Sequence, residues 1–147
     1  MRIVIAGSND EAFYLVDSLL RSGHDVSVVC DDHLRAMRFD EAYGVEVIEG
    51  DPSDASVLAD VSFNGVDVVI SLCEDDADNL VVCQTAKEVF GVSRTVCTVR
   101  NPRNVEVFKR LGVSIAISGT HLLARVIGRA STMDDVSKIL RSHGRAE

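Results

Sequence analysis

MRIVIAGSNDEA (residues 1–12) places a short apolar run directly before a glycine turn and a helix. The run at residues 3–6 suits a strand that is buried on both faces. Gly7 supplies the tight turn out of that strand, and apolar residues at helical spacing follow over residues 13–20. This order of elements predicts the first strand, phosphate loop and helix of a dinucleotide-binding unit.

Strand-like and helix-like segments alternate along the rest of the chain. The predicted strands are Arg2–Ala6, Asp25–Cys30, Glu46–Glu49, Val66–Ser71, Arg94–Val99 and Ser114–Ile117. The predicted helices are Asp10–Ser22, His33–Tyr43, a short helix capped by Ser53 or Asp54 and reaching Val61, Asp75–Phe90, Asn104–Leu111, Thr120–Ala130, and Asp134–Ser142 behind a capping box at Ser131–Asp134.

Strict alternation of strands and helices indicates an α/β fold with helices on both faces of a parallel sheet. Right-handed crossovers then predict a Rossmann-like, doubly wound sheet of six strands in the order 3-2-1-4-5-6. We assign residues 1–130 to a nucleotide-binding domain and residues 131–147 to a C-terminal helix and tail.

The composition excludes several classes of protein. The 147 residues carry a net charge of −8, whereas a nucleic-acid-binding surface needs a basic patch. No apolar run is long enough for a transmembrane helix, and the chain begins with a strand instead of a signal peptide. We therefore expect a cytoplasmic protein with no nucleic-acid partner.

The four cysteines lack the spacing of a metal site or a redox motif. Cys30, Cys73, Cys83 and Cys97 each lie in or beside an apolar segment. Free cysteines of this kind are usually small buried hydrophobes. We therefore predict no metal site.

Ligands of a doubly wound sheet bind at the carboxyl ends of the strands, where the strand order reverses. That rule selects the loops Gly7–Ala12, Cys30–Asp32, Gly50–Ser53 and Ser71–Asp76. The first helix directs its free N–H groups and partial positive charge at the first of these loops. We expect a pyrophosphate to lie there.

The first loop departs from the usual three-glycine pattern. Gly7 is retained, but Asn9 and Ala12 stand at the other two glycine positions. The side chain of Asn9 lies where the backbone should approach the phosphates, and Asp10 and Glu11 compete with phosphate for the same N–H groups. Ser8 completes the loop. Two interpretations stay open: a modified phosphate loop, or a helix simply capped by Asn9 or Asp10.

The end of the second strand normally carries an acidic residue that binds the ribose hydroxyls. Cys30 occupies that position, and Asp31 and Asp32 follow at once. Asp31 can reach the ribose if the loop bends slightly, or both aspartates can cap the next helix. Nearby acids repel a 2′-phosphate, which favours NAD or a plain adenine nucleotide over NADP.

The loop after the third strand supplies three further candidates. Asp51 is suited to cap the following helix, and its neighbours Pro52 and Ser53 are suited to line an adenine pocket.

The fourth strand ends in Ser71, Leu72 and Cys73, which suit contact with a ring or a ribose. The acids from Glu74 to Asp76 open the next helix, and we assign them a structural role only. Asn79 lies one turn inside that helix. The candidate cofactor-binding residues are Gly7, Ser8, Asn9, Asp10, Glu11, Ala12, Cys30, Asp31, Asp32, Asp51, Pro52, Ser53, Ser71, Leu72, Cys73, Asn79 and Arg100.

Arg100 ends the fifth strand, where it is either a phosphate partner or an ordinary exposed arginine. No histidine has a nucleophile or a carboxylate placed beside it by its spacing. We therefore predict no catalytic site, and we expect the histidines to lie on the surface.

Several segments together resemble one family. They are Arg2–Gly7, Gly23–Val29, Gly50-Asp51, Asp75-Asp76 with Asn79-Leu80, and Leu111–Ser118. Over roughly residues 1–130 the chain resembles the TrkA N-terminal domain family, also called RCK-N or KTN. The resemblance implies a regulatory domain of potassium channels and uptake systems that binds NAD(H), ATP, ADP or AMP.

The resemblance further implies assembly as a dimer or a larger ring on a membrane transporter or channel subunit, which places the chain at the inner face of the cell membrane. The common C-terminal ligand-binding domain of the family is not recognised, so we expect an excised domain or a stand-alone relative. The resemblance also marks the helix Thr120–Ala130 as the one that crosses to a neighbouring protomer.

The sequence supports this crossing helix independently. Leu122, Leu123, Val126 and Ile127 form an apolar stripe that needs another surface to cover it. The alternative is that the stripe packs back on its own chain.

Three functional hypotheses therefore stand side by side. The first is a non-enzymatic, nucleotide-sensing regulatory domain. The second is a degenerate Rossmann domain that has lost dinucleotide binding and acts as an assembly module. The third, a small NAD-dependent oxidoreductase, lacks any visible acid, base or substrate pocket.

Overall fold

The computed structural model describes residues 1–132, which form six strands and six helices. The strands are β1 (Arg2–Ala6), β2 (Asp25–Cys30), β3 (Glu46–Glu49), β4 (Val68–Ser71), β5 (Arg94–Val99) and β6 (Ile115–Ser118). The helices are α1 (Asp10–Arg21), α2 (His33–Tyr43), α3 (Ala55–Ala59), α4 (Asp76–Glu88), α5 (Asn104–Arg110) and α6 (Gly119–Thr132). The predicted helix Asp134–Ser142 lies outside the described residues, and its capping box ends beyond them.

All six strands are parallel and follow the order β3-β2-β1-β4-β5-β6. The predicted α/β fold and strand order are therefore confirmed. The hydrogen-bond ladder continues for one more bond past the ends of β1 and β4: Gly7 donates its N–H to the Val29 carbonyl at 2.9 Å, and Leu72 donates its N–H to the Ala6 carbonyl at 2.7 Å. The carboxyl ends of β1 and β4 consequently meet at the point where the strand order reverses.

The sheet is buried on both faces because successive side chains of its central strands alternate between two cores. On one face Ile3, Ile5 and Val28 pack against α1 and α2 around Phe39. The other face carries a second core under α3 and α4, and a third core joins α4 and α5 to β5 and β6. Within residues 1–132, no helix has the length and apolar character needed to cross a membrane.

Two strands begin later than the sequence predicts. Val66 donates its N–H to the Phe63 carbonyl in a turn, so β4 begins at Val68. Ser114 exchanges hydrogen bonds with Thr95 through their hydroxyls, at 3.0 and 3.2 Å. These side-chain bonds replace one step of the backbone ladder, and β6 therefore covers Ile115–Ser118.

Candidate functional site

A cleft of about 580 Å³ opens at the carboxyl edge of the sheet, above the turn that follows β1. Its lining comes from the loops after β1, β2, β3 and β4 and from the first turns of α1, α2 and α4. The lining residues are Gly7, Ser8, Asn9, Asp10, Glu11, Asp31, Asp32, Arg35, Asp51, Pro52, Leu72, Cys73, Glu74, Asp75 and Asp78. The structure thus brings the four predicted loops together at one site.

Gly7 lets the first loop pass close to β4. Its φ of +127° is a backbone angle that residues with a Cβ atom rarely adopt. A Cβ atom at this position would lie 2.8 Å from the Leu72 carbonyl oxygen. Glycine is therefore required here both for the turn and for the approach of two neighbouring strands.

Asn9 caps the helix α1. Its Oδ1 accepts the N–H of Ala12 at 2.9 Å, and its Nδ2 donates to the Leu72 carbonyl at 3.0 Å. The side chain thus ties the helix to β4 across the floor of the cleft. Among residues 1–132 the N–H groups of Asp10 and Glu11 find no hydrogen-bond partner. Two backbone donors therefore remain to meet an anion.

The loop after β2 divides its residues between the core and the cleft. Cys30 is buried in the core under α1 and α2, where desolvation raises the pKa of its thiol. Asp31 is exposed and lines the cleft, whereas Asp32 caps α2 by accepting the Arg35 N–H at 3.0 Å. Among Cys30, Asp31 and Asp32, the residues predicted to bind the ribose, Asp31 is therefore the one whose carboxylate is not used to cap a helix.

The loop after β3 differs from its prediction in two respects: the cap of α3, and Ser53, which does not line the cleft. Asp51 does not cap α3: its carboxylate accepts the N–H and the hydroxyl of Ser53, at 2.9 and 2.7 Å. Asp54 caps α3 instead, through the N–H of Ser56. The physical reason is distance along the chain, because the helix begins four residues after Asp51 and a cap must adjoin the first turn.

Six of the predicted site residues do not line the cleft: Ala12, Cys30, Ser53, Ser71, Asn79 and Arg100. Ala12, Cys30, Ser71 and Asn79 are buried. The four predicted loops meet at this cleft, but the alternation of side chains along a strand directs Cys30, at the end of β2, and Ser71, at the end of β4, into the core.

Asn79 holds the β4–α4 turn from inside the protein. Its Oδ1 accepts from the Ser71 hydroxyl at 2.7 Å and from the Cys73 N–H at 2.8 Å. Its Nδ2 donates to the carbonyls of Cys73 and Thr98, both at 3.0 Å. The side chain is 1 % exposed, and its hydrogen-bonding capacity is fully used. Asn79 therefore shapes the cleft wall without facing it.

Asp76 fixes the loop after β5. Its carboxylate accepts the N–H groups of Arg100 and Asn101 and the side-chain amide of Asn104, at 2.7–3.1 Å. Burial raises the pKa of this carboxyl, but the three hydrogen bonds outweigh that effect and hold the pKa below its usual value. Arg100 thus contacts Asp76 through its backbone, and its own side chain is exposed away from the cleft lining.

The replacement Asp76→Ala is expected to lower the free energy of unfolding by about 2 kcal/mol at neutral pH, because three donors lose a charged acceptor. Since the folded protein depresses the pKa of Asp76, this stabilisation is present above the unfolded pKa of about 4 and disappears as the pH falls below it. Urea unfolding of both proteins at several pH values measures the difference. An equal difference at acid and neutral pH would contradict the assignment.

Four residues that line the cleft were missed as site residues: Arg35, Glu74, Asp75 and Asp78. Arg35 lies in the first turn of α2, where its guanidinium donates to the Ser8 carbonyl and lies 3.8 Å from the Asp32 carboxylate. Glu74 and Asp75 belong to the loop Ser71–Asp76, which the sequence had placed at the site, and their position in that loop was the signal that they border the ligand side. Asp78 lies in the first turn of α4, outside that loop.

Cys73 is the one cysteine that lines the cleft. Burial raises the pKa of its thiol to about 11, so the thiol is not ionised at neutral pH. Cys30, Cys83 and Cys97 are buried, as predicted. Within residues 1–132 no group of three or more histidine, cysteine, aspartate or glutamate side chains is arranged to hold a metal ion.

The helix α6 extends from the edge of the sheet, and residues 1–132 leave its apolar stripe uncovered. Leu122, Leu123, Val126 and Ile127 are between 43 and 60 % exposed, and no residue of α6 is buried against the described residues. An apolar groove of about 380 Å³ adjoins the start of the helix. It is lined by Pro102, Val105, Glu106, Ala116, Ile117, Ser118, His121 and Leu122. The stripe does not pack back on residues 1–132.

The chain matches the family model of the TrkA-N domain over residues 3–119. Among curated relatives, the Trk system potassium uptake protein TrkA of Mycobacterium tuberculosis is 32% identical over 143 residues. The match covers 95% of this chain and 64% of that protein. The voltage-gated potassium channel Kch of Escherichia coli is 28% identical, with 96% of this chain and 36% of the channel covered.

Solved structures give the same result for the fold and include two with nucleotides. The GsuK channel bound to NAD superposes with a TM-score of 0.76 at 26% identity, covering 86% of this chain and 23% of that one. GsuK bound to ADP superposes with a TM-score of 0.78 at 27% identity, covering 91% of this chain and 35% of that one. The resemblance noted in the sequence is thereby confirmed.

Proposed function

The chain belongs to the TrkA-N domain family, and from this premise we propose that it is a non-enzymatic regulatory domain of a potassium transport system. Its signal is an adenine nucleotide bound in the cleft above Gly7. The observation that carries the proposal is the position of that cleft: it lies at the reversal of strand order, and two free N–H groups of α1 face it.

The relatives support the biological setting. The two curated relatives named above are a potassium uptake protein and a potassium channel, and the chain spans less than two thirds of the length of each. We therefore propose that this domain acts with a membrane transporter or channel subunit at the inner face of the cell membrane. Disruption of its coding sequence is expected to change growth at limiting potassium, and unchanged growth and uptake would contradict the assignment to potassium transport.

The ligand we propose is NAD(H), ATP, ADP or AMP. The NAD and ADP bound to GsuK support an adenine nucleotide. In this chain Asp31 is available to the ribose, and Asp10 and Glu11 offer their N–H groups to phosphate. Calorimetric titration of the purified chain with each nucleotide tests binding directly. If none of the nucleotides binds, the proposed nucleotide-sensing function is contradicted.

We propose that the nucleotide acts by changing how copies of the chain are arranged. The stripe on α6 and the groove beside it are both apolar, so the stripe of one copy can fill the groove of a second copy. A symmetric pair of this kind buries both surfaces at once. A ligand then biases the membrane partner only if it binds two arrangements with different affinity.

The replacement Leu123→Asp is expected to weaken self-association at least about thirtyfold, because a carboxylate would replace the most exposed apolar side chain of the stripe. Light scattering after size-exclusion chromatography measures the molar mass as a function of concentration. The control is Tyr14→Asp, which alters an exposed side chain on α1. Equal molar mass for wild type and Leu123→Asp would contradict assembly through α6.

The second candidate function is an assembly module that binds no dinucleotide. It is favoured by Asn9, whose side chain occupies the loop, and by Cys30, which buries a thiol where an acid would hold the ribose. Both functions share the α6 interface, so only nucleotide binding separates them.

The replacement Asn9→Gly is expected to raise the affinity for NAD severalfold if the site is a modified phosphate loop, since it opens room beside the N–H groups of α1. The same change removes two hydrogen bonds and is expected to cost about 1–2 kcal/mol of stability. Calorimetry and urea unfolding measure the two effects. Lower stability without any gain in affinity would favour the assembly module.

A further inference from the structure

The cleft carries a charge of the same sign as its proposed ligand. Among residues 1–132, eight acidic residues and one arginine line it. The acids are Asp10, Glu11, Asp31, Asp32, Asp51, Glu74, Asp75 and Asp78. A site that binds phosphates tightly ordinarily supplies an excess of hydrogen-bond donors and cations. Here every phosphate added to a ligand meets further repulsion.

Arg35, the one cation that the described part of the chain contributes to the lining, is already engaged. Arg35 donates to the Ser8 carbonyl and lies 3.8 Å from the Asp32 carboxylate. Its side chain is 46% exposed, so water further screens its charge. Attraction for an anion therefore comes mainly from the N–H groups at the start of α1, which meet only the phosphates lying against that helix.

Apart from Asp10 and Glu11, which belong to α1 itself, the acids of the lining form two groups on either side of the start of α1. Asp31, Asp32 and Asp51 follow β2 and β3, on the side where the adenosine half of a nucleotide lies. The second group, Glu74, Asp75 and Asp78, follows β4, where the other half of a dinucleotide lies. The outer phosphates of ATP would extend toward this second group, whereas NAD⁺ places a cationic nicotinamide ring there.

We propose that the cleft selects its nucleotide by charge: it prefers NAD⁺ and AMP to ATP, and the second acid group is what weakens ATP binding. This inference rests on the proposed function, since it concerns the ligand of the same cleft. Because salt screens repulsion between like charges, ATP is expected to bind more tightly as the KCl concentration rises. A cleft that attracts phosphates would show the opposite salt dependence.

The test is calorimetric titration of the purified chain with AMP, ADP, ATP and NAD⁺ in the absence of divalent cations. Affinity is expected to fall from AMP to ATP by about tenfold, as three carboxylates act on each added charge. Raising KCl from about 0.01 M to about 0.15 M shortens the screening length and is expected to strengthen ATP binding severalfold. ATP binding that equals AMP binding and weakens with salt would overturn the inference.

Two double variants that remove the same amount of charge test whether the second acid group causes the weaker binding of ATP. Glu74→Gln with Asp78→Asn is expected to restore ATP affinity about tenfold relative to AMP. The control is Glu41→Gln with Glu88→Gln, which removes the same net charge from exposed positions outside the cleft lining and is expected to change neither affinity.

The outcomes separate this inference from the proposed function. An equal gain in ATP affinity in both double variants would overturn selection by the second acid group but would not contradict nucleotide sensing. If the wild type and both variants bind no nucleotide at either salt concentration, the proposed function and this inference both fail.

Discussion

Replacement of Gly7 by alanine is expected to lower the free energy of unfolding by about 3 kcal/mol and to abolish nucleotide binding. Two costs combine. The φ of +127° strains any residue with a Cβ, and that Cβ would lie 2.8 Å from the Leu72 carbonyl oxygen. The neighbour is backbone and cannot rotate away, so β1 and β4 must separate. That separation would also break the hydrogen bond from Asn9 to Leu72.

Urea unfolding of wild type and Gly7→Ala measures the loss of stability. The matched control is Gly91→Ala, because Gly91 also has a positive φ of +69° but has no heavy atom within 4 Å of the Cβ position. The control is expected to cost only about 1 kcal/mol. If both replacements lower the free energy of unfolding equally, the close approach of Gly7 to the Leu72 carbonyl does not contribute to the loss of stability.

Asn79→Ala is expected to destabilise the protein by about 3 kcal/mol, because it leaves four partners without their hydrogen bonds in a buried position. The Ser71 hydroxyl, the Cys73 N–H and two carbonyls lose their bonds to a side chain that is only 1 % exposed. The control is Gln84→Ala on the same helix, where the side chain is only partly buried. A loss below about 1 kcal/mol for Asn79→Ala would contradict the assigned network.

The companion variant Asn79→Asp separates hydrogen bonding from packing. Its carboxylate would face the carbonyl oxygens of Cys73 and Thr98, which disfavours the charged form. The folded protein should therefore raise the pKa of this carboxyl above its unfolded value. A raised pKa means that the folded state binds the proton more tightly, so stability is expected to recover as the pH falls. Urea midpoints that stay equally low at all pH values would contradict this orientation of the amide.

Most of the fold was predictable because local patterns and the global topology agree. The apolar run before Gly7, Gly44 at the end of α2, and strict alternation of elements define strands, helices and their order. The starts of β4 and β6 were not predictable in the same way. They depend on the turn at Phe63 and on the hydroxyl exchange between Thr95 and Ser114, which only the neighbouring chain segments create.

The candidate site was predictable as a set of loops but only in part as a set of side chains. The ends of β2 and β4 carry Cys30 and Ser71, whose side chains face the core because of strand alternation. Arg35 could not be found from strand ends, since it reaches the cleft from the first turn of α2. The hydrogen bonds of the Asn9 side chain were also not predictable from the sequence. Its amide donates to the Leu72 carbonyl, which is 63 positions away along the chain.

Amide-resolved NMR of the ¹⁵N-labelled chain, titrated with NAD⁺, tests the central claim that the cleft binds an adenine nucleotide. Saturable shifts are expected at Ser8, Asp10, Glu11 and Asp31 and along the loop after β4, with little change in the helical positions remote from the cleft. Absence of shifts at millimolar NAD⁺, or shifts that avoid these loops, would contradict the claim.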